Sequence, residues 1–97
     1  GVQVREPAAD LARAAATLSS FRGVPLDAST AFFGEVGLVG EVRAVRQAGR
    51  RLGEAARLGL RRAVVPAASV ATSEAPPGIA LYGVRNVGEL AECLFPA

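Results

Sequence analysis

The sequence predicts an α/β (α+β) domain in which helices cover a mixed sheet. Three observations predict it. Short β-rich runs, "TAFFGEV", "RRAVVPA" and "IALYGV", alternate with longer stretches of helical period. One of them, "RRAVVPA", is almost continuously apolar, as in a strand buried on both sheet faces. Residues 32–45, "FFGEVGLVGEVRAV", carry Gly34, Gly37 and Gly40 between two β-like runs, the pattern of a hairpin. The 97 residues suffice for one small domain, expected to span residues 1–97.

The elements follow in order. "GVQV" alternates and reads as the end of a strand, so the chain is expected to begin inside its domain. "EPAADLARAAATLSSF" reads as a helix, with Pro7 in its first turn, Glu6 and Asp10 at its positive end, and Leu11, Ala15, Leu18 and Phe21 as its stripe. "RGVPLDAST" is a loop. "TAFFGEV" and "EVRAV" are the strands of the hairpin and "GLVG" is its turn. "RQAGRRLGEAARLG" is a helix ended by Gly59. At 100° per residue, Ala48, Leu52, Ala55 and Ala56 share one face, while Arg50, Glu54 and Arg57 share the other. "RRAVVPA" is the buried strand, "ASVATSEAPPG" a loop and "IALYGV" a further strand. "NVGELAECLF" closes the chain as a helix, with Asn86 as N-cap, Glu89 three residues on, and Val87, Leu90, Ala91 and Leu94 inward.

Composition excludes much chemistry. The chain has no histidine, and its eleven cations are all arginine. Ser-His-Asp triads, Cys-His pairs and histidine metal sites are therefore excluded, as are Schiff-base lysines, Ser-Lys dyads and a P-loop. The single cysteine, Cys93, cannot form an internal disulfide or a zinc cluster, and a reducing cytoplasm is the simplest home. No run reaches the ~18 apolar residues of a membrane span. Hydrophobic residues make up 51%, and 11 glycines come on top. That exceeds the ~45–50% of an ordinary domain counted the same way, so part of the surface is expected to be covered by missing chain of the same protein or by a neighbouring subunit.

The glycines are spaced three and three between strands, not as the GxGxxG of a dinucleotide loop. Glu35 and Glu41, equivalent in the doubled "GEV", could be paired carboxylates, but no polar cluster around them would build a sugar site. They read as structural or interface residues. Cys93 reads as a boundary residue of the last helix.

"EPAADLA", "LSSFRGVPLD", "FFGEVGLVGEVRAV", "RRLGEAARLGLRRAVVPAA" and "GIALYGVRNVGELAECL" occur in an order that resembles the C-terminal Lon-protease-like domain of the RadA (Sms) family of bacterial DNA repair proteins. The resemblance implies a Lon proteolytic-domain-like fold, present as roughly its C-terminal two-thirds and N-terminally incomplete. It also implies a vacant dyad. The position of the Lon catalytic serine falls on Ala8, and that of the lysine on Gly49. What it then implies is a pseudo-protease within a DNA-dependent ATPase, serving hexamer assembly and sequence-independent DNA contact through the backbone. ATP, magnesium and zinc would belong to N-terminal domains missing from this chain, with no cofactor or metal here and no membrane partner. Arg50 and Arg57, with Arg61 and Arg62 just beyond, are the densest basic region and the candidate DNA contacts. Two alternatives stand beside this reading: a Lon-like peptidase using Ser19, Ser20 or Cys93, and a stand-alone interaction module.

Overall fold

The structure is a computed structural model that describes residues 6–72 and 75–96. The strand expected at residues 1–4 lies outside them. A 3-10 turn at Pro7–Ala9 leads into α1 (Asp10–Arg22). Then come β1 (Thr30–Phe32), β2 (Glu35–Val36), β3 (Val42–Arg43) and α2 (Ala48–Arg57). β4 (Arg62–Pro66), α3 (Ala67–Thr72), β5 (Ala80–Val84) and α4 (Val87–Leu94) complete the described chain.

β4 is the centre of a parallel sheet ordered β1-β4-β5. Its alternating side chains serve two cores. Ala63 and Val65 pack with Leu52 and Ala55 of α2, together with Ala31 and Ile79. Val64 packs on the other face with Leu11 and Ala15 of α1, Val84, and Leu90 of α4. Burial on both faces is what the unbroken apolar run of this strand predicts. Leu11, Leu52 and Leu90 are fully buried, each contributing about 1.5–3 kcal/mol. Asn86 caps α4 as expected, its side-chain oxygen accepting the Glu89 N–H at 2.8 Å.

The structure departs from the expected layout in four places. The first is the expected single mixed sheet. β2 and β3 form a separate antiparallel ribbon, so the run at residues 30–36 is two strands rather than one. The chain leaves the parallel sheet at Gly34, whose N–H donates to the Ala8 carbonyl at 3.0 Å and whose carbonyl accepts from Leu11 N–H at 2.9 Å. A Cβ there would lie 3.1 Å from Val42 Cγ1 and 3.2 Å from Leu11 Cδ2. A side chain there would need Val42 and Leu11 to give by a few tenths of an ångström, so glycine eases this close approach.

The second departure is α3, in a stretch expected to be loop. It lies tightly on β5, where a Cβ at Gly83 would meet Val70 Cγ2 at 2.8 Å and Ala67 Cα at 3.0 Å. The third is the helix expected from residue 46, which starts at Ala48 because Gln47 takes a left-handed conformation, φ 58°. The fourth is Phe21, which leaves the apolar stripe of α1 and is 86% exposed, while Leu11, Ala15 and Leu18 face inward. Among the described residues, no helix is long and apolar enough to cross a membrane.

Candidate nucleic-acid interface and the cavity at Ala8

The arginines singled out from the sequence do not form one surface. Arg50 and Arg57 lie exposed on the outer side of α2, away from the core that Leu52 and Ala55 enter. Arg57 shares that side with Glu54, at 3.4 Å. Such exposed pairs are weak, about 0.3–0.5 kcal/mol, and yield to a better partner. Arg61 is exposed at the entry to β4. Arg62 goes elsewhere. It alternates with Ala63 along β4, so it shares the face of Val64, opposite α2. There it pairs with Asp27 at 2.8 Å. Asp27 is held below the ordinary carboxylate range by the Ser29 hydroxyl and N–H, and further by the Arg62 and Arg61 charges. The basic region expected from the sequence is thus divided by the sheet: Arg50 and Arg57 on the α2 side, Arg62 on the other.

Ala8 is buried in the turn before α1 and lines a cavity of about 310 Å³. Glu6, Pro7, Glu35, Ala44, Val45, Arg46 and Arg51 complete the lining. Among the described residues, no side chain in it carries a hydroxyl, thiol, imidazole or amine. Its two carboxylates face guanidiniums: Glu6 meets Arg51 at 2.7 Å, and Glu35 meets Arg43 at 3.9 Å. Gly49 is exposed in the first turn of α2, with open space where a side chain would stand.

The hairpin glutamates do structural work. Glu35 stands opposite Arg43 in the ribbon register. Glu41 accepts from Arg43 Nη2 at 2.8 Å and from the Val39 N–H at 3.2 Å. Those contacts lower its pKa, the Arg43 hydrogen bond most. Ser19 donates its hydroxyl to the Val24 carbonyl and so closes the end of α1. Ser20 is exposed on the same helix. Burial pushes the Cys93 thiol up, the opposite of what activates a nucleophile.

A second concavity, which no local pattern in the sequence announces, lies on the α1 and α4 side of the sheet. It is a groove of about 300 Å³ between the residue 25–27 loop, the strands and the end of α4. Leu26, Phe32, Val64, Tyr82, Leu94 and Phe95 supply its apolar wall, with Cys93 beside them.

These features define a small α/β domain with a parallel sheet and a paired ribbon. Comparison with known proteins gives its family. The chain is 47% identical over 89 residues to the DNA repair protein RadA of Bacillus subtilis (strain 168), covering 92% of the chain and 19% of that protein. Identity and coverage are the same for the DNA repair protein RadA of Escherichia coli (strain K12). For that of Streptococcus pyogenes serotype M6 (strain ATCC BAA-946 / MGAS10394), identity is 40% over 95 residues, 98% of the chain and 21% of the protein. The chain belongs to the RadA family and matches one domain of it. It spans about a fifth of the length of these relatives. No family model matches it.

Proposed function

We propose that this chain is a non-catalytic, Lon-like domain of a RadA-type DNA repair ATPase. It serves assembly of the protein into a ring, a hexamer, and contacts DNA through the backbone without reading sequence. The single observation that carries the reading is the Ala8 cavity: where a Lon protease would need a serine hydroxyl and a lysine amine, its described lining offers neither, and its two carboxylates are turned to guanidiniums. The exposed Arg50 and Arg57 supply guanidiniums to phosphate from one helix side, and the relatives' shared name, DNA repair protein RadA, agrees with such a role. Arg62, committed to Asp27 across the sheet, plays the lesser part. ATP, magnesium and zinc chemistry would lie in parts of the protein outside this chain.

The test is a salt titration of DNA binding by the full-length protein carrying Arg50→Ala and Arg57→Ala. Affinity should fall for all sequences alike, and the slope of log K against log salt should drop by about 0.9 for each duplex phosphate the protein no longer neutralises. An unchanged slope removes α2 from the DNA role. Light scattering that finds only monomers removes the assembly role. Peptide turnover that disappears with Ser19→Ala or Cys93→Ser would make the domain a peptidase instead.

A further inference from the structure

The turn between β2 and β3 lifts two aliphatic side chains into solvent. Leu38 is 104% exposed and Val39 89% exposed. Turn tips ordinarily carry polar residues, and this one is not loose. The Gly37 N–H donates to the Glu41 carbonyl at 2.8 Å, Gly40 N–H to the Gly37 carbonyl at 3.0 Å, and Val39 N–H to Glu41 Oε1 at 3.2 Å. Gly40 takes the left-handed conformation, φ 84°. The tip is therefore a preformed knob, and a partner would lose little entropy in ordering it.

The same chain carries a socket, the groove formed by Leu26, Phe32, Val64, Tyr82, Leu94 and Phe95. At about 300 Å³ it has the size of a small-molecule pocket and the room for two aliphatic side chains. Knob and socket stand at opposite ends of α4. The ribbon is tied to its N-terminal end: Val87 N–H donates to the Gly40 carbonyl, Val42 N–H to the Arg85 carbonyl, and Glu41 bridges to Asn86. The socket takes its wall from Cys93, Leu94 and Phe95 at the other end, about 12 Å along eight residues of helix. A knob so anchored cannot enter the socket of its own chain.

We propose that Leu38 and Val39 of one copy seat in this groove of a second copy. The inference rests on the self-assembly reading above and gives it a surface. Each copy then has one knob and one socket, so the contact is head-to-tail, the kind that closes into a ring rather than a two-fold dimer. Charge agrees. The ribbon carries Glu35 and Glu41 against the one guanidinium of Arg43. The socket rim carries Arg62 and Asp27, with the Arg22 guanidinium 4.9 Å over the Phe95 ring. Arg62 and Asp27 cancel as a pair, so the rim is left with the one guanidinium of Arg22 to face the ribbon's one excess carboxylate. The same excess of carboxylates turns the tip away from DNA, the other candidate for an exposed apolar wedge.

The test uses the native socket thiol. In the full-length protein, Val39→Cys should cross-link to Cys93 of the next copy on oxidation with diamide. The non-reducing gel should show a ladder that climbs past dimer, and Cys93→Ser or the exposed-site change Leu38→Asp should abolish it. A dimer band that survives Cys93→Ser would mean tip-to-tip contact and overturn the proposal. No ladder from a protein that light scattering shows assembled would overturn it and leave ring assembly standing. No ladder, with DNA shielding the thiol introduced by Val39→Cys from maleimide, would assign the tip to nucleic acid. Monomers by light scattering would overturn both the contact and the assembly reading.

Discussion

The carboxylate of Glu41 fills the space that a side chain at Gly37 would need. From there it takes the Val39 N–H and the Arg43 guanidinium, so one residue both fastens the turn and pairs with the ribbon's arginine. Gly37→Ala must expel it. The carboxylate is the far end of a flexible, part-exposed side chain, so the expected loss is only that of its surface contacts, under about 1 kcal/mol. In a Glu41→Ala background the same change should cost markedly less. A double-mutant cycle by urea unfolding measures the coupling, and additive effects would show that the two residues do not share this volume.

Acid should loosen the domain through its paired carboxylates. Glu41 is lowered by the hydrogen bond from Arg43, Glu89 by that from Arg85, and Asp27 by the Ser29 hydroxyl. A depressed folded pKa contributes stability that is complete above the unfolded carboxylate value of about 4 and is lost as pH falls through the folded one. Stability should thus be level above about pH 5 and decline below it. Urea midpoints followed downward in pH check this. Glu41→Gln should shallow the decline, and the Val39 amide should exchange faster first.

Gly83 is the seat of α3. Gly83→Val would drive a side chain into Val70 and into the Ala67 backbone, lifting the helix from β5 at a cost of about 1–3 kcal/mol. Val70→Ala should restore part of the stability, since it clears the side-chain clash but leaves the backbone clash in place. Thermal unfolding of the two single variants and the double variant decides. Full restoration would place the whole clash on Val70.

Asn86→Ala removes the cap of α4 and should cost about 1 kcal/mol. Because β3 and the turn hang on the same end of the helix, the change should also raise hydrogen exchange at Gly40 and Val42, measured by NMR. Faster exchange confined to α4 would show that the ribbon is held independently.

Features that depend on local pattern were legible in the sequence. The unbroken apolar run of β4 announced burial on both faces, the spacing of Leu52 and Ala55 placed the inner side of α2, and Asn86 with Glu89 marked the start of α4. Features decided by distant contacts were not. Gly34 ends the first strand because Ala8 and Leu11, more than twenty residues earlier, take its hydrogen bonds. Residues 68–72 read as loop because the permission for that helix sits in Gly83, on another strand. The place of Arg62 could have been read, since it begins a strand two residues before Val64 and alternate strand residues share a face. The groove could not, because its wall comes from a loop, three strands and a helix end that meet only in the fold.

The strand order β1-β4-β5 has a consequence for how this polypeptide is made. Thr30 pairs with Arg62, and Arg62 with Ala80, so the central strand waits on chain synthesised long before it and well after it. Until residues 80–84 leave the ribosome, β4 has one bare edge, and until α4 follows, Val64 lacks part of its cover. The nascent domain therefore passes through a stage with apolar surface and an unpaired edge on view, the state in which chains aggregate or need a chaperone.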